Sequence, residues 1–194
     1  MRGDLKNHVP VVYITPEAKQ RLDLYLQCAG GEISGLGNVE KMGDDFLITH
    51  VHLFEQECTG ASTDLEPESV SKFLLEAIQA GIDTSTLKLW WHSHVNMGCF
   101  WSGTDDGTAA RLAAGGWFLS VVGVKSGEYL CRLDLYEPVR ITLDGIEFRI
   151  KYPENLALRA EIDAEVKAKV KVPPPPVSIF GADLRERQHP WQKK

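Results

Sequence analysis

Two histidines one residue apart, His92 and His94, close an apolar run over residues 87–91 that reads as a strand. Side chains alternate faces along a strand, so both imidazoles point the same way and Ser93 between them points the other. Two ring nitrogens on one face can share a metal ion. A carboxylate follows at short range: Asp105 sits in the first turn of a helix expected over residues 104–114, where exposed amides favour a negative charge. Two imidazoles and one carboxylate, with the fourth position left to water, form the ligand set of a catalytic zinc site rather than a structural one. Zinc held in this way lowers the pKa of its water to about 7. Amide hydrolysis then needs a base to carry the proton to the leaving amine. Ser102, one helical turn before Asp105, can donate to the oxyanion that forms on an attacked carbonyl. The expected cofactor is Zn2+, one per chain, held by His92, His94 and Asp105.

Each piece has a blander reading. A His-x-His pair can be two polar residues at a strand end, since histidine is a common structural side chain as well as the commonest metal ligand. Ser-x-x-Asp is as readily a capping box as a site. The combination separates the readings. Capping needs no histidine pair at the preceding strand end, and a packed histidine pair needs no carboxylate at a helix start.

The elements that must position these residues read as α/β, with one mixed sheet flanked by helices. Residues 9–14 are β-branched and apolar, so they read as a strand. Thr15 followed by Pro16 is an N-cap with proline at the first helical position. That helix should run to about Cys28, burying some of Leu22, Leu24, Tyr25 and Leu26, and stop at Gly30-Gly31. A weak strand over residues 32–39 and a stronger one over 46–54 come next, then a polar loop over 55–62. Val70, Phe73, Leu74, Ala77 and Ile78 recur at helical spacing within residues 65–80. Beyond the histidines, residues 117–124 read as a buried strand, 125–128 as a hairpin turn, and 129–136 and 141–150 as the strands that complete the sheet. Residues 155–170 form a helix rich in Ala, Glu and Lys, broken by the prolines 173–176. The expected organisation is a catalytic domain over residues 1–152, a C-terminal helix over 153–172 and a proline-led flexible tail over 173–194.

Composition narrows the classes. A chain of 194 residues can bury a proper core without disulfides. A formal net charge of −6 argues against nucleic-acid binding, which needs a basic face. The four cysteines, Cys28, Cys58, Cys99 and Cys131, include no C-x-x-C pair, so a zinc knuckle is not expected. Cys99 lies near the histidines, but nothing in the sequence places a base beside it. The first residues lack the apolar run of a secretory signal, and no segment reaches the length of a membrane span. The expectation is a cytoplasmic protein with free thiols and no membrane contact.

H-x-H, seven residues, then S-x-x-D resembles the JAMM motif of the MPN+ zinc metalloproteases, with a prokaryotic-type JAB domain. The match is complete in spacing at His92, His94, Ser102 and Asp105. That family also carries an upstream glutamate on an early strand, commonly followed three residues later by glycine. Glu32-Ile33-Ser34-Gly35 fits. The resemblance covers residues 9–150 in element order and implies a cytidine-deaminase-like MPN fold. It implies zinc on His92, His94 and Asp105, Glu32 as the general acid/base, and Ser102 stabilising the tetrahedral intermediate. The implied activity is an isopeptidase or peptidase that cuts the amide after the C-terminal glycine of ubiquitin or a ubiquitin-like protein, with room for an activating protein partner. Other members resemble processors of sulfur-carrier proteins, accompany peptidoglycan-cutting domains in phage tails, or are associated with DNA repair. A further group keeps the fold as a non-catalytic scaffold.

Two positions depart from the pattern. Val95 stands where many members have proline after the second histidine, and Trp101 where many have proline before the serine. Neither position supplies a ligand, so the zinc assignment stands and the subfamily is what they leave open. Phe100 and Trp101 either wall a substrate groove or pack. Glu40, Glu55 and Glu57 compete with Glu32 for the role of base, the last two from a loop able to fold over the site. Glycines around Glu32 weaken a strand but would let a substrate backbone approach.

Overall fold

The structure, a computed structural model, describes residues 8–58, 63–95, 97–113 and 115–170. The expected tail over 173–194 lies outside the described residues. The chain divides into two units at Tyr152/Pro153. In the first, the order is β1 (Val12–Ile14), α1 (Pro16–Cys28), β2 (Ser34–Met42), β3 (Asp45–Leu53), β4 (Gln56–Cys58), β5 (Thr63–Leu65) and α2 (Pro67–Gln79). A 3-10 turn at Thr84–Thr86 leads into β6 (Leu87–His94) and α3 (Gly103–Leu112). Then come β7 (Trp117–Val124), β8 (Tyr129–Leu135), β9 (Ile141–Leu143) and β10 (Phe148–Ile150). In the second unit, α4 (Leu156–Lys169) is capped by Asn155, whose side chain accepts from the Leu158 N–H at 2.9 Å. No helix among the described residues is long and apolar enough to cross a membrane.

The main sheet has eight strands in the order β10-β1-β3-β2-β6-β7-β8-β9. β1 runs parallel to β3 and β10, β6 runs parallel to β7, and the remaining neighbours are antiparallel. This is a mixed α/β architecture. Local chemistry starts α1 where the sequence says: Thr15 accepts from the Ala18 N–H at 3.3 Å, and Pro16 follows at the first turn. Its Ala18, Leu22 and Leu26 are buried against Ile14, Ile48, Leu89, Trp91 and Val121 on one face of the sheet, while Leu24 is exposed. Val70 and Phe73 of α2 and Ala109 and Leu112 of α3 join Leu36, Trp90 and Phe118 in a second cluster. β6 therefore sends Leu89 and Trp91 into one cluster and Trp90 into the other. His92 and His94 share the parity of Trp90, and so lie on the face that carries α3.

Three expectations need correction, two of them about strands. Residues 141–150 are not one strand. β9 pairs with β8 at one edge of the sheet, and β10 pairs with β1 at the other. Gly145, with φ 66°, turns the chain between them, and the Ile146 N–H donates to the Cys131 carbonyl at 3.0 Å. Seven strand spacings of about 4.8 Å would separate the edges of a flat sheet by roughly 34 Å. The short link from Leu143 to Phe148 reaches no more than about 18 Å. The sheet must therefore curl until its edges approach, and no local pattern in the sequence announces that. The expected polar loop over 55–62 likewise contains β4, which pairs with β5 as a separate two-stranded sheet. One side chain ties it to the main sheet. Gln56 accepts from the Ser34 N–H at 2.8 Å and donates to the Ser34 and Phe54 carbonyls, both at 2.9 Å.

The glycines after Glu32 have a different purpose from the expected one. A Cβ at Gly35 would lie 2.0 Å from the His52 carbonyl oxygen and 2.5 Å from the Trp91 indole. The missing side chain makes room for β3 and the core, not for a substrate. Gly35→Ala should cost about 1–3 kcal/mol, the usual penalty of overpacking. That lowers the melting temperature by about 2–4 °C per kcal/mol for a domain of this size. Thermal unfolding checks it, and an unchanged midpoint would mean β2 and β3 do not pack this closely.

Candidate metal centre

The C-terminal end of β6 delivers His92 and His94, and the first turn of α3 delivers Asp105. Ser102 is the N-cap of α3. Its Oγ accepts from the Asp105 N–H at 3.2 Å, and its own N–H donates to Asp105 Oδ2 at 2.6 Å. Capping box and site are therefore not alternatives. Asp105 Oδ1 lies 3.3 Å from His92 Nε2, and Oδ2 lies 3.9 Å from His94 Nε2. The candidate ligand atoms of His92, His94 and Asp105 all lie within 4.8 Å of one another, and all three residues are buried. That is close enough to bind one metal ion.

The surroundings fit such an ion. His94 Nδ1–H donates to the Gly98 carbonyl at 3.2 Å, which fixes the ring with Nε2 turned toward Asp105. His92 stacks on Trp90, ring centroids 4.3 Å apart, and apart from Asp105 Oδ1 at 3.3 Å from Nε2 its ring nitrogens meet no polar partner among the described residues. A buried polar atom left unpaired costs about 1–3 kcal/mol, and a metal on one of the two nitrogens would remove that cost there. Burial holds the His92 imidazole below its ordinary pKa, against the opposing pull of Asp105. The ring is thus kept neutral, as ligation requires. Burial works to raise the Asp105 carboxyl, but His92 and the amide and hydroxyl of Ser102 outweigh it and hold it well below the usual carboxylate range. The donor set is two imidazoles and one carboxylate.

Glu32 sits just before β2, outside this three-residue cluster and beside it. Ser93, which leaves the site face, places it. The Ile33 N–H donates to Ser93 Oγ at 3.0 Å, and the Ser93 N–H donates to the Ile33 carbonyl at 2.8 Å. Glu32 is 5% exposed, and its Oε1 has no hydrogen-bond partner among the described residues. Burial pushes its carboxyl up; His94 opposes this and the Asp105 charge adds to it. Glu40, Glu55 and Glu57 are all exposed. In the 55–57 loop it is Gln56 that turns inward and binds the backbone of Ser34, while its acidic neighbours face out.

Sequence reading missed Ser93, Gln56 and Gly98 as supports. Strand alternation shows that Ser93 leaves the site face, but the amide it binds comes from a segment sixty residues away. Of the aromatic pair, Phe100 lies beside His94 with ring centroids 4.8 Å apart and is 41% exposed, while Trp101 faces His92 at 5.8 Å. Burial pushes the Cys99 thiol up, so it is no activated nucleophile.

No protein-family profile matches the chain, and no curated protein matches it in sequence. In fold it is similar to the solution structure of protein DSY2949 from Desulfitobacterium hafniense. That match has a TM-score of 0.51 and 16% identity, and covers 76% of this chain and 97% of that one. At that identity the likeness speaks for the fold alone.

If the three buried ligands act together, purified protein should carry about one equivalent of metal, as a single four-coordinate site implies. Replacing His92 and His94 together by Ala should abolish it. Elemental analysis of both proteins decides the matter, and full metal retention by the double variant would move the site elsewhere.

Proposed function

We propose that this chain is a zinc-dependent peptidase of the JAMM type, cleaving the amide bond after the C-terminal glycine of ubiquitin or a ubiquitin-like protein. One observation carries the reading. The motif residues His92, His94 and Asp105 converge in a buried cluster, with the Ser102 cap at its edge and the buried Glu32 beside it. The choice of zinc rests on the donor set, since two imidazoles and one carboxylate match catalytic zinc sites that keep a place open. The substrate class rests on the motif's family resemblance.

Zinc bound there supplies Lewis acidity, polarising a carbonyl and acidifying water near neutral pH. The chain's own residues do the rest. His92, His94 and Asp105 hold the ion, and the Gly98 carbonyl and the Ser102 amide keep two of those ligands oriented. Glu32 takes a proton from the attacking water and returns it to the leaving nitrogen, so one carboxylate serves both steps. Its buried position, which raises its proton affinity, suits a group that must hold a proton between steps. Ser102 Oγ accepts from the Asp105 amide, and its hydroxyl proton would turn from the Asp105 carboxylate to donate to the developing oxyanion. The exposed Phe100 offers an apolar wall at the site mouth.

Glu32→Gln keeps the size of the side chain but cannot carry the proton. It should lose on the order of 10²–10⁴-fold in turnover, the usual weight of general acid–base catalysis, and should keep its zinc. Asp105→Asn should lose zinc and activity together. Zinc content and cleavage rate are measured for both variants on a panel of ubiquitin-like conjugates, with a chelator control and mass spectrometry of the products. Parental cleavage by Glu32→Gln would place the base elsewhere. Cleavage of peptidoglycan stem peptides alone would overturn the substrate class.

A further inference from the structure

We propose that Arg132 is a positioning residue for the metal centre, holding both flanks of the Ser102–Asp105 segment. Arg132 lies on β8, in register with Ser120 of β7, which is in register with Trp90 of β6. It therefore shares the face that carries His92 and His94. Its side chain is only 4% exposed, yet it carries a full charge into the interior. Nη1 donates to Asp106 Oδ1 at 2.5 Å, and Nε lies 3.2 Å from Asp134 Oδ2. Asp134 is itself fully buried and fixed by the Thr142 hydroxyl at 2.5 Å. The guanidinium also lies over the Trp101 ring, 4.4 Å from its centroid.

The sequence positions of these partners are what matter. Trp101 immediately precedes the Ser102 cap, and Asp106 immediately follows the Asp105 ligand. One guanidinium grips the chain on either side of the four residues that start α3 and supply the carboxylate. Within β8 itself, Asp134, two residues along on the same face, steadies the guanidinium. Trp101 is held in turn by its Nε1–H, which donates to Asp144 Oδ1 at 2.9 Å. A buried ion pair is weak grounds for stability, because desolvation of the charges offsets their attraction. What this one contributes is place: it ties the start of α3 to β8, two strands from β6 on the sheet face that carries the histidines. Supporting contacts of this kind are worth about 10–100-fold in metal affinity.

This inference rests on the metal reading above, and the experiment separates the two. Zinc affinity is measured by chelator competition on the parental chain, Asp106→Ala and Arg132→Lys, and thermal unfolding is recorded for all three in excess chelator. The Asp106 side chain is 55% exposed, but its partner Arg132 is buried, so removing Asp106 leaves that charge one partner short and lowers the metal-free melting temperature. Asp106→Ala should still fold and, well below its metal-free midpoint, bind zinc at least tenfold more weakly than the parent. Arg132→Lys keeps the charge but loses the planar fork and its stacking, and should also bind more weakly. Parental affinity in both variants, with or without a change in melting temperature, overturns the positioning role and leaves the metal site intact. A parental chain that binds no zinc overturns both.

Discussion

The Asp105 carboxylate belongs to two structures at once. Its Oδ2 accepts the Ser102 amide and starts α3, while Oδ1 faces the Nε2 of His92 across 3.3 Å. Because one side chain serves both, the start of the helix and the geometry of the site cannot move independently. The rest of the unit meets that constraint. β6 has to end with its histidines on the face where α3 packs, and the parity of Leu89, Trp90 and Trp91 sets this. The loop between them has to return at the right height, where Gly98 meets His94 and Trp101 lies beside His92.

The same economy appears on the other side of the site. Ser93 sits between the two histidines and faces away from them, yet it is the residue that fixes Ile33, and with it Glu32, against β6. The two faces of one short strand end thus organise both halves of the proposed chemistry, ligands on one side and the seat of the base on the other. Gln56 extends the arrangement by tying β4 to the backbone of Ser34. The burial that results is electrostatically consequential. It keeps His92 neutral and lifts the proton affinity of Glu32, while hydrogen bonds and His92 keep Asp105 ionised.

What was legible in the sequence was local. Thr15-Pro16 announces α1 because a cap and a pre-set φ act within one turn. The histidine pair is readable because alternation along a strand is a property of adjacent residues, and Asp105 because Ser-x-x-Asp is a helix-start signature. What was not legible depends on distant parts of the chain. Residues 141–150 look like one strand until the curl of the sheet sends their halves to opposite edges. Gly35 looks like room for a substrate until the His52 carbonyl is found in the space. Gln56 is an unremarked residue in an acidic loop, and Arg132 is one of two charges in an otherwise apolar strand. Their importance lies in the partners they meet across the sheet, and no spacing encodes those.

Whether zinc sits between His92, His94 and Asp105 is read most directly by zinc-edge X-ray absorption on protein loaded with one equivalent of the metal. The expected first shell is nitrogen and oxygen only, at about 2.0–2.2 Å, with the outer-shell scattering of two imidazoles. A sulfur neighbour at about 2.3 Å, drawn from one of the four cysteines, or the signature of fewer than two imidazoles, would contradict the site.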